Sequence, residues 1–447
     1  MNRWQEMYKQ KLTVPDEAIR KFVRDGDKVI SPLGNGLPPA LISTLARKIK
    51  EDELKDILYI DALNVRCFDI IAPDIQSKLT CGTSYATPVN RWAINQGITD
   101  FVPMRFSDSS RLIVEEDVSL YGRQTPYHRI NVSMHCVSPM DEHGFFSAGT
   151  NPDHSYAAAT QKYPHKVLLE VNKYMPRTYG NNHFHISEVD AVVENDLPLF
   201  YLPEIPVTKE DEAIAQNIIE HIPDGACIQL GIGGIPNAVA RFLVDKKDLS
   251  VHSEMLCDSY VDLYEQGVIT SRKKTFMPNK WVATFVFGSQ RLYDFIDENP
   301  LIYMCGTDMV NNPRIASLND NLMAINTTIE VDLTGQCASE SMAYRQYTGL
   351  GGQLDFVKAS AMSKGGKSFI CTYSTYTDKE GNLRSKIVPV LNNVVSVGRA
   401  DIEYVVTEYG IANLRGCNLS TRMKKLIAIA HPDFRDWLKF EARKLVQ

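Results

Sequence analysis

The stretch Asp224-Gly225-Ala226-Cys227-Ile228-Gln229-Leu230-Gly231-Ile232-Gly233-Gly234-Ile235-Pro236-Asn237-Ala238 decides how this chain is read. An Asp-Gly turn opens it, a short apolar run follows, and a glycine-rich loop with proline leads into a helical pattern. About 200 residues earlier the same grammar occurs as Asp25-Gly26-Asp27-Lys28-Val29-Ile30-Ser31-Pro32-Leu33-Gly34-Asn35-Gly36-Leu37-Pro38-Pro39-Ala40. Each copy follows a helical pattern that starts near an acidic pair, Asp16-Glu17 or Asp211-Glu212. A period this long is not a solenoid; it points to two halves of similar design.

Working outward, apolar strand-like runs alternate with helical patterns. Strands are expected at Lys28 to Ile30, Lys166 to Val171, Cys227 to Leu230 and Tyr404 to Thr407. Helices are expected at Pro39 to Lys50, Lys209 to His221 and Asn237 to Asp245. Two more are expected at the carboxyl end, Ser420 to Ile429 with Ser420 as cap, and Pro432 to Val446 with proline in the first turn. This alternation predicts α/β architecture with largely parallel sheets. The boundary falls near Leu197 to Val207, where Leu-Pro, Leu-Pro and Ile-Pro mark extended chain, giving domains 1–200 and 201–447.

Composition narrows the class. The 447 residues are 44% hydrophobic and 23% charged, which excludes a disordered chain. A net charge of −6 without a dense basic block argues against a general nucleic-acid binder. Lys273-Lys274 and Lys424-Lys425 read as solvated faces. No run reaches the roughly 18 apolar residues of a membrane helix, and the polar start carries no signal-peptide core, so the cytoplasm is the expected compartment. Nine scattered cysteines without a CxxC pair read as reduced, mostly buried thiols, with neither a disulfide framework nor a metal site.

Chemistry concentrates in the second half. Glycines in the Gly231 to Pro236 loop let backbone N–H groups approach a ligand, and the helix start favours an anion or developing oxyanion. The spacing is not GxGxxG, because Pro236 stands where a third glycine belongs; a tight turn and a binding loop both remain open. Glu254, in Val251-His252-Ser253-Glu254-Met255, sits near the carboxyl end of an expected strand, the end that faces the ligand crevice in open sheets. There a carboxylate can serve as nucleophile, general base or metal ligand, or be a surface glutamate. His252 is expected on the same strand face, with no third metal ligand in view. Gly349 to Phe356 is a second glycine-rich segment that can cradle a phosphate or pantetheine chain, or simply turn. Ser363 to Ser368 fails as a P-loop and reads as a Gly-Gly hairpin, and no GxSxG is present. His183 and His185 alternate as strand residues, and Met255 and Cys257 read as packing.

Taken in order, Gln229 to Pro236, His252 to Met255, Gly349 to Phe356, Ser385 to Pro389, Val405 to Ala412 and Leu414 to Gly416 resemble the acetyl-CoA hydrolase/transferase family of class I CoA-transferases. The resemblance runs over essentially the whole chain, including Gln5 to Tyr8 and Pro15 to Ala18. It implies two tandem open α/β domains of the CoA-transferase (NagB/RpiA-like) type, the second carrying the catalytic glutamate and CoA loops. It implies CoA exchange between a short-chain acyl-CoA and a carboxylate such as acetate. Glu254 would be the nucleophile, passing through an acyl-glutamyl anhydride and a glutamyl-CoA thioester. Gln229, with amides of the loop, is the candidate for oxyanion stabilisation. The resemblance places Gly231, Ile232, Gly233, Gly234, Ile235, Ile329 and Gly352 against CoA, which is a substrate and not a permanently bound cofactor. It further implies a homodimer or higher homo-oligomer. The loop Leu33 to Pro39 is expected to shape the acid pocket, with the first half closing over the acid. An acyl-CoA hydrolase using the same glutamate and a non-catalytic CoA-binding protein are the alternatives.

Overall fold

The computed structural model describes residues 2–114, 129–163, 165–203 and 205–445. The chain folds into two compact units, Met1–Leu202 with Val282–Val310, and Pro203–Trp281 with Asn311–Gln447. Residues 282–310, placed by sequence with the carboxyl-terminal half, therefore pack in the first unit. Among the described residues no helix is long and apolar enough to cross a membrane.

The first unit is built on seven parallel strands: β1 Lys28–Ile30, β2 Ile57–Asp61, β3 Leu79–Thr83, β4 Thr99–Phe101, β5 Val132–Val137, β6 Lys166–Val171 and β7 Ala191–Glu194. Their order is β4-β3-β2-β1-β5-β6-β7. The inner strands β5 and β6 are buried on both faces along nearly their whole length. In β6 the period of two is visible: Leu168 joins the core of the Pro15–Phe22 and Pro39–Lys50 helices, while Val167, Leu169 and Val171 join a second core with Phe146 and Phe184.

The second unit holds β8 Cys227–Leu230, β9 Ser250–Val251, β10 Leu322–Thr327, β11 Lys367–Cys371, β12 Tyr404–Thr407 and β13 Gly410–Asn413. The order is β9-β8-β10-β11-β12-β13, parallel except for the final β12–β13 pair. The repeated segments occupy equivalent places. β1 lies between β2 and β5, and β8 lies between β9 and β10. In both sheets the strand order reverses direction beside the repeated strand, and ligands bind open α/β sheets at the carboxyl ends flanking such a reversal.

Several element boundaries differ from expectation, each for a local reason. The helix expected from Asn237 begins at Gly234, because Pro236 fits the first turn, and it ends at Phe242 with a 3₁₀ turn over Leu243–Asp245. The helix expected to reach His221 ends at Ile219. The cap of the Leu419–Ala428 helix is Asn418, not Ser420: its side chain accepts from the Thr421 N–H. The last helix runs Pro432–Leu445, and Val446 lies outside the described residues. Gly365-Gly366 turns the chain from the Gln353–Met362 helix into β11 and forms no hairpin. Lys274 is buried, not solvated; its ammonium donates to the Lys280 carbonyl at 2.9 Å. All nine cysteines are free thiols, seven of them buried.

Candidate active site

Glu254 stands just past the carboxyl end of β9. β9 pairs in parallel with β8, and the His252 N–H still reaches the Ile228 carbonyl. The chain then bends at Glu254 before the short strand Met255–Leu256. His252 and Ser253 are fully buried and anchor the bend, whereas Glu254 is half-buried. The His252 ring packs near Phe276 and Phe356.

Two donors hold the Glu254 carboxylate. Asn311 Nδ2 donates to Oε2 at 2.6 Å, and the Gly352 N–H supplies a backbone hydrogen bond. Asn311 is itself fully buried. Gly352 immediately precedes the Gln353–Met362 helix, whose amino-terminal N–H groups and dipole favour an anion. A β-carbon on Gly352 would run into Glu254 Oε2 and Asn311 Nδ2, so glycine is a steric requirement here. Its φ of −93° suits any residue. Burial pushes the Glu254 pKa up to about 7; the hydrogen bond from Asn311 opposes the shift, the Asp355 charge adds to it, and the Gly352 N–H opposes it. Burial likewise raises Asp61 and Asp153, so it is the carboxylate's place at the strand end, together with the shift, that singles out Glu254.

The other expected residues gather on neighbouring strand ends. Gln229, on β8 and 3% exposed, pairs its amide with that of Asn326 on β10: Asn326 Nδ2 donates to Gln229 Oε1 at 2.9 Å. None of its hydrogen bonds reaches Glu254. The Gly231–Ile235 loop leaves β8 at the reversal of strand order, and the Gly231 N–H donates to the Ile325 carbonyl of β10. Gly233 lies at φ +129°, a region reserved for glycine, and offers no side-chain cap to the helix that starts at Gly234. The first-turn N–H groups are thus left without a side-chain acceptor at Gly233. Ile232 is exposed and Ile235 buried, so the loop shows one apolar side chain outward. Ile329 follows β10, half-buried, on the adjacent strand end.

The sequence reading did not single out Asn311. Its one local signal is the run Asn311-Asn312-Pro313, where Asn312 caps the Pro313–Ala316 turn. Nothing in that run says that Asn311 will face a glutamate far away in sequence. Gly352 was expected against CoA; the structure brings it to Glu254 itself.

A parallel α/β sheet with a restrained carboxylate past one strand end, and a bare glycine loop at the switch of strand order, defines a class: an open α/β protein with a candidate carboxylate-centred site at the place where such sheets bind ligands. Comparison with known proteins makes this specific. Residues 1–201 match the acetyl-CoA hydrolase/transferase N-terminal domain, and residues 288–442 match the corresponding C-terminal domain. The chain is 42% identical to a succinyl-CoA:cyclohexane-1-carboxylate CoA transferase of Geobacter metallireducens, over 99% of this chain and 97% of that one. It is 36% identical to a 4-hydroxybutyrate coenzyme A transferase of Clostridium kluyveri, over 99% of both. The crystal structure of RipA from Yersinia pestis superposes with a TM-score of 0.90 at 36% identity, covering 100% of each chain. The chain belongs to the acetyl-CoA hydrolase/transferase family.

Proposed function

We propose that this protein is a CoA-transferase that exchanges CoA between a short-chain acyl-CoA and a carboxylate such as acetate, with Glu254 as nucleophile. The observation that carries the reading is the Glu254 carboxylate held by Asn311 and the Gly352 amide, in a chain of this family. The carboxylate attacks the thioester carbonyl, the C–S bond breaks, and CoA leaves as thiolate. The resulting acyl-glutamyl anhydride is attacked by the thiolate at the glutamyl carbon; the acid leaves as carboxylate and a glutamyl-CoA thioester remains. An incoming carboxylate reverses both steps, so the kinetics are ping-pong.

Each step passes through an oxyanion. When thiolate attacks the glutamyl carbon, negative charge builds on a Glu254 oxygen. If that oxygen is Oε2, Asn311 Nδ2 already donates to it. For the oxyanion on the acyl carbonyl, Gln229 with the amides of the Gly231–Ile235 loop remains our candidate. The same loop, Ile329 and Gly352 would receive CoA, whose remote contacts supply binding energy used at the reacting centre.

Nine free thiols support residence in a reducing compartment such as the cytoplasm. Homodimeric or higher assembly is carried over from the family resemblance, and sedimentation equilibrium reads it. The activity is tested by mixing acyl-CoA donors (acetyl, butyryl, 4-hydroxybutyryl, succinyl) with acetate or another acceptor acid. Acceptor-dependent appearance of the new thioester, with parallel double-reciprocal lines, is expected. CoA release at the same rate without any acceptor would establish the hydrolase instead. Hydroxylamine trapping after donor exposure should place the modification on Glu254.

A further inference from the structure

Behind the glycine loop lies a polar contact that the exchange reaction does not use. Asp211 is 1% exposed, in the first turn of the Lys209–Ile219 helix. Its Oδ2 accepts from the Thr208 N–H at 2.8 Å and from Thr208 Oγ1 at 3.0 Å, and its own N–H donates to Thr208 Oγ1 at 3.2 Å, closing a capping box. Its Oδ1 accepts from the Tyr373 hydroxyl at 2.8 Å. Tyr373 comes just after β11, two strands away from β8 in the sheet. The carboxylate also abuts the loop. A β-carbon on Gly234 would stand 2.6 Å from Asp211 Oδ2 and 3.1 Å from Oδ1.

We infer that Asp211, fixed by Tyr373, is a positioning residue for the glycine loop and through it sets the affinity for CoA. This rests on the reading of Gly231–Ile235 as part of the CoA site. The physical case has three parts. A capping box needs an acceptor at this position, but not a third hydrogen bond from a tyrosine on another strand. Gly234 sits at φ outside the glycine-only region, so its missing side chain is explained by the Asp211 contact and not by backbone conformation. Gly233 supplies no side-chain cap, so the loop carries no polar anchor of its own at the helix start. Gly231 is anchored by its N–H to the Ile325 carbonyl, and at Gly234 the loop takes its position from what it packs against, a buried carboxylate tied at both oxygens. Burial and the hydrogen bond to Asp211 both push the Tyr373 hydroxyl up, so it stays a proton donor throughout the working pH range.

The test measures CoA binding by titration calorimetry, and KM and kcat for acyl-CoA, on full-length protein. Tyr373→Phe removes one bond to a carboxylate and should raise both Kd for CoA and KM roughly tenfold, with kcat falling as well because the same loop carries the candidate oxyanion donors. A purely structural role would lower the melting temperature and the active fraction, hence kcat, without moving KM. Gly234→Ala should weaken CoA binding and lower kcat as well, because the displaced loop also carries the candidate oxyanion donors. Combined with Asp211→Ala, or with Tyr373→Phe if Asp211→Ala does not fold, the Gly234→Ala loss should shrink, because the clash is relieved. Unchanged Kd and KM in Tyr373→Phe, or strictly additive losses in the double variant, would overturn the inference while leaving wild-type exchange intact. Wild-type protein that neither binds nor exchanges CoA would sink the proposed activity, and this role with it.

Discussion

Glu254 carries the sharpest expectations. Glu254→Gln keeps the shape and the Asn311 contact but removes the nucleophile, so exchange should fall by about 10³-fold or more, with the melting temperature preserved. Only the carboxylate attacks, so kcat/KM should rise with pH through a limb near pH 7 and flatten above it. Asp355→Asn removes a nearby negative charge and should move that limb to lower pH. Stability carries the opposite sign. The folded pKa of about 7 lies above the ordinary value of 4.5, so the folded state binds this proton more tightly. The contribution is fully present below pH 4.5 and is lost as pH rises through about 7. The melting temperature of wild type relative to Glu254→Gln should therefore decline across that window. Gly352→Ala makes a different point: the backbone tolerates alanine, but the β-carbon displaces Glu254 or Asn311. Activity should drop at least as far as a misaligned nucleophile implies, about 10²-fold, and a thermal melt should show only a modest loss.

Among the elements, strand and turn positions were the most legible. The runs at β1, β6, β8 and β12 stand where apolar continuity puts them, with Asp-Gly turns also announcing β1 and β8. Helix ends were less legible. Proline is compatible with a first turn, so Pro236 did not mark the boundary, and the start moved back to Gly234. Ser420 and Asn418 are both good caps, and only the folded backbone chose Asn418. Asn418→Ala should cost about 1 kcal/mol in urea unfolding, and Ser420→Ala should cost a few tenths at most. Equal losses at the two positions would contradict the assignment of the cap.

At the scale of the whole chain, residues 282–310 belong to the first unit although both sequence neighbours belong to the second. They are built into it. Tyr293 Oη donates to the Phe200 carbonyl at 2.7 Å and accepts from Asn35 Nδ2 at 2.9 Å, Phe287 fills the space beside Gly34, and the Thr307 hydroxyl lies 2.7 Å from that of Ser110. A fragment of residues 1–202 should therefore unfold at lower temperature than the same fragment with 282–310 appended by a flexible linker, as circular dichroism would show. Equal melting would mean that the segment adds nothing to the unit.

By itself the sequence determined the α/β class, the repeated strand-loop-helix in both sheets, and the identity of Glu254 as the residue to watch. Those follow from local periodicity, glycine and proline chemistry, and an ordered set of motifs, all written in consecutive residues. Only the tertiary structure decided which groups touch Glu254. Asn311 and Gly352 reach it from distant segments, Gln229 turns to Asn326, and Asp211 meets Gly234 where two helices pack together. Such contacts depend on which strand ends become neighbours when the sheet assembles, and no local pattern of residue types encodes that order.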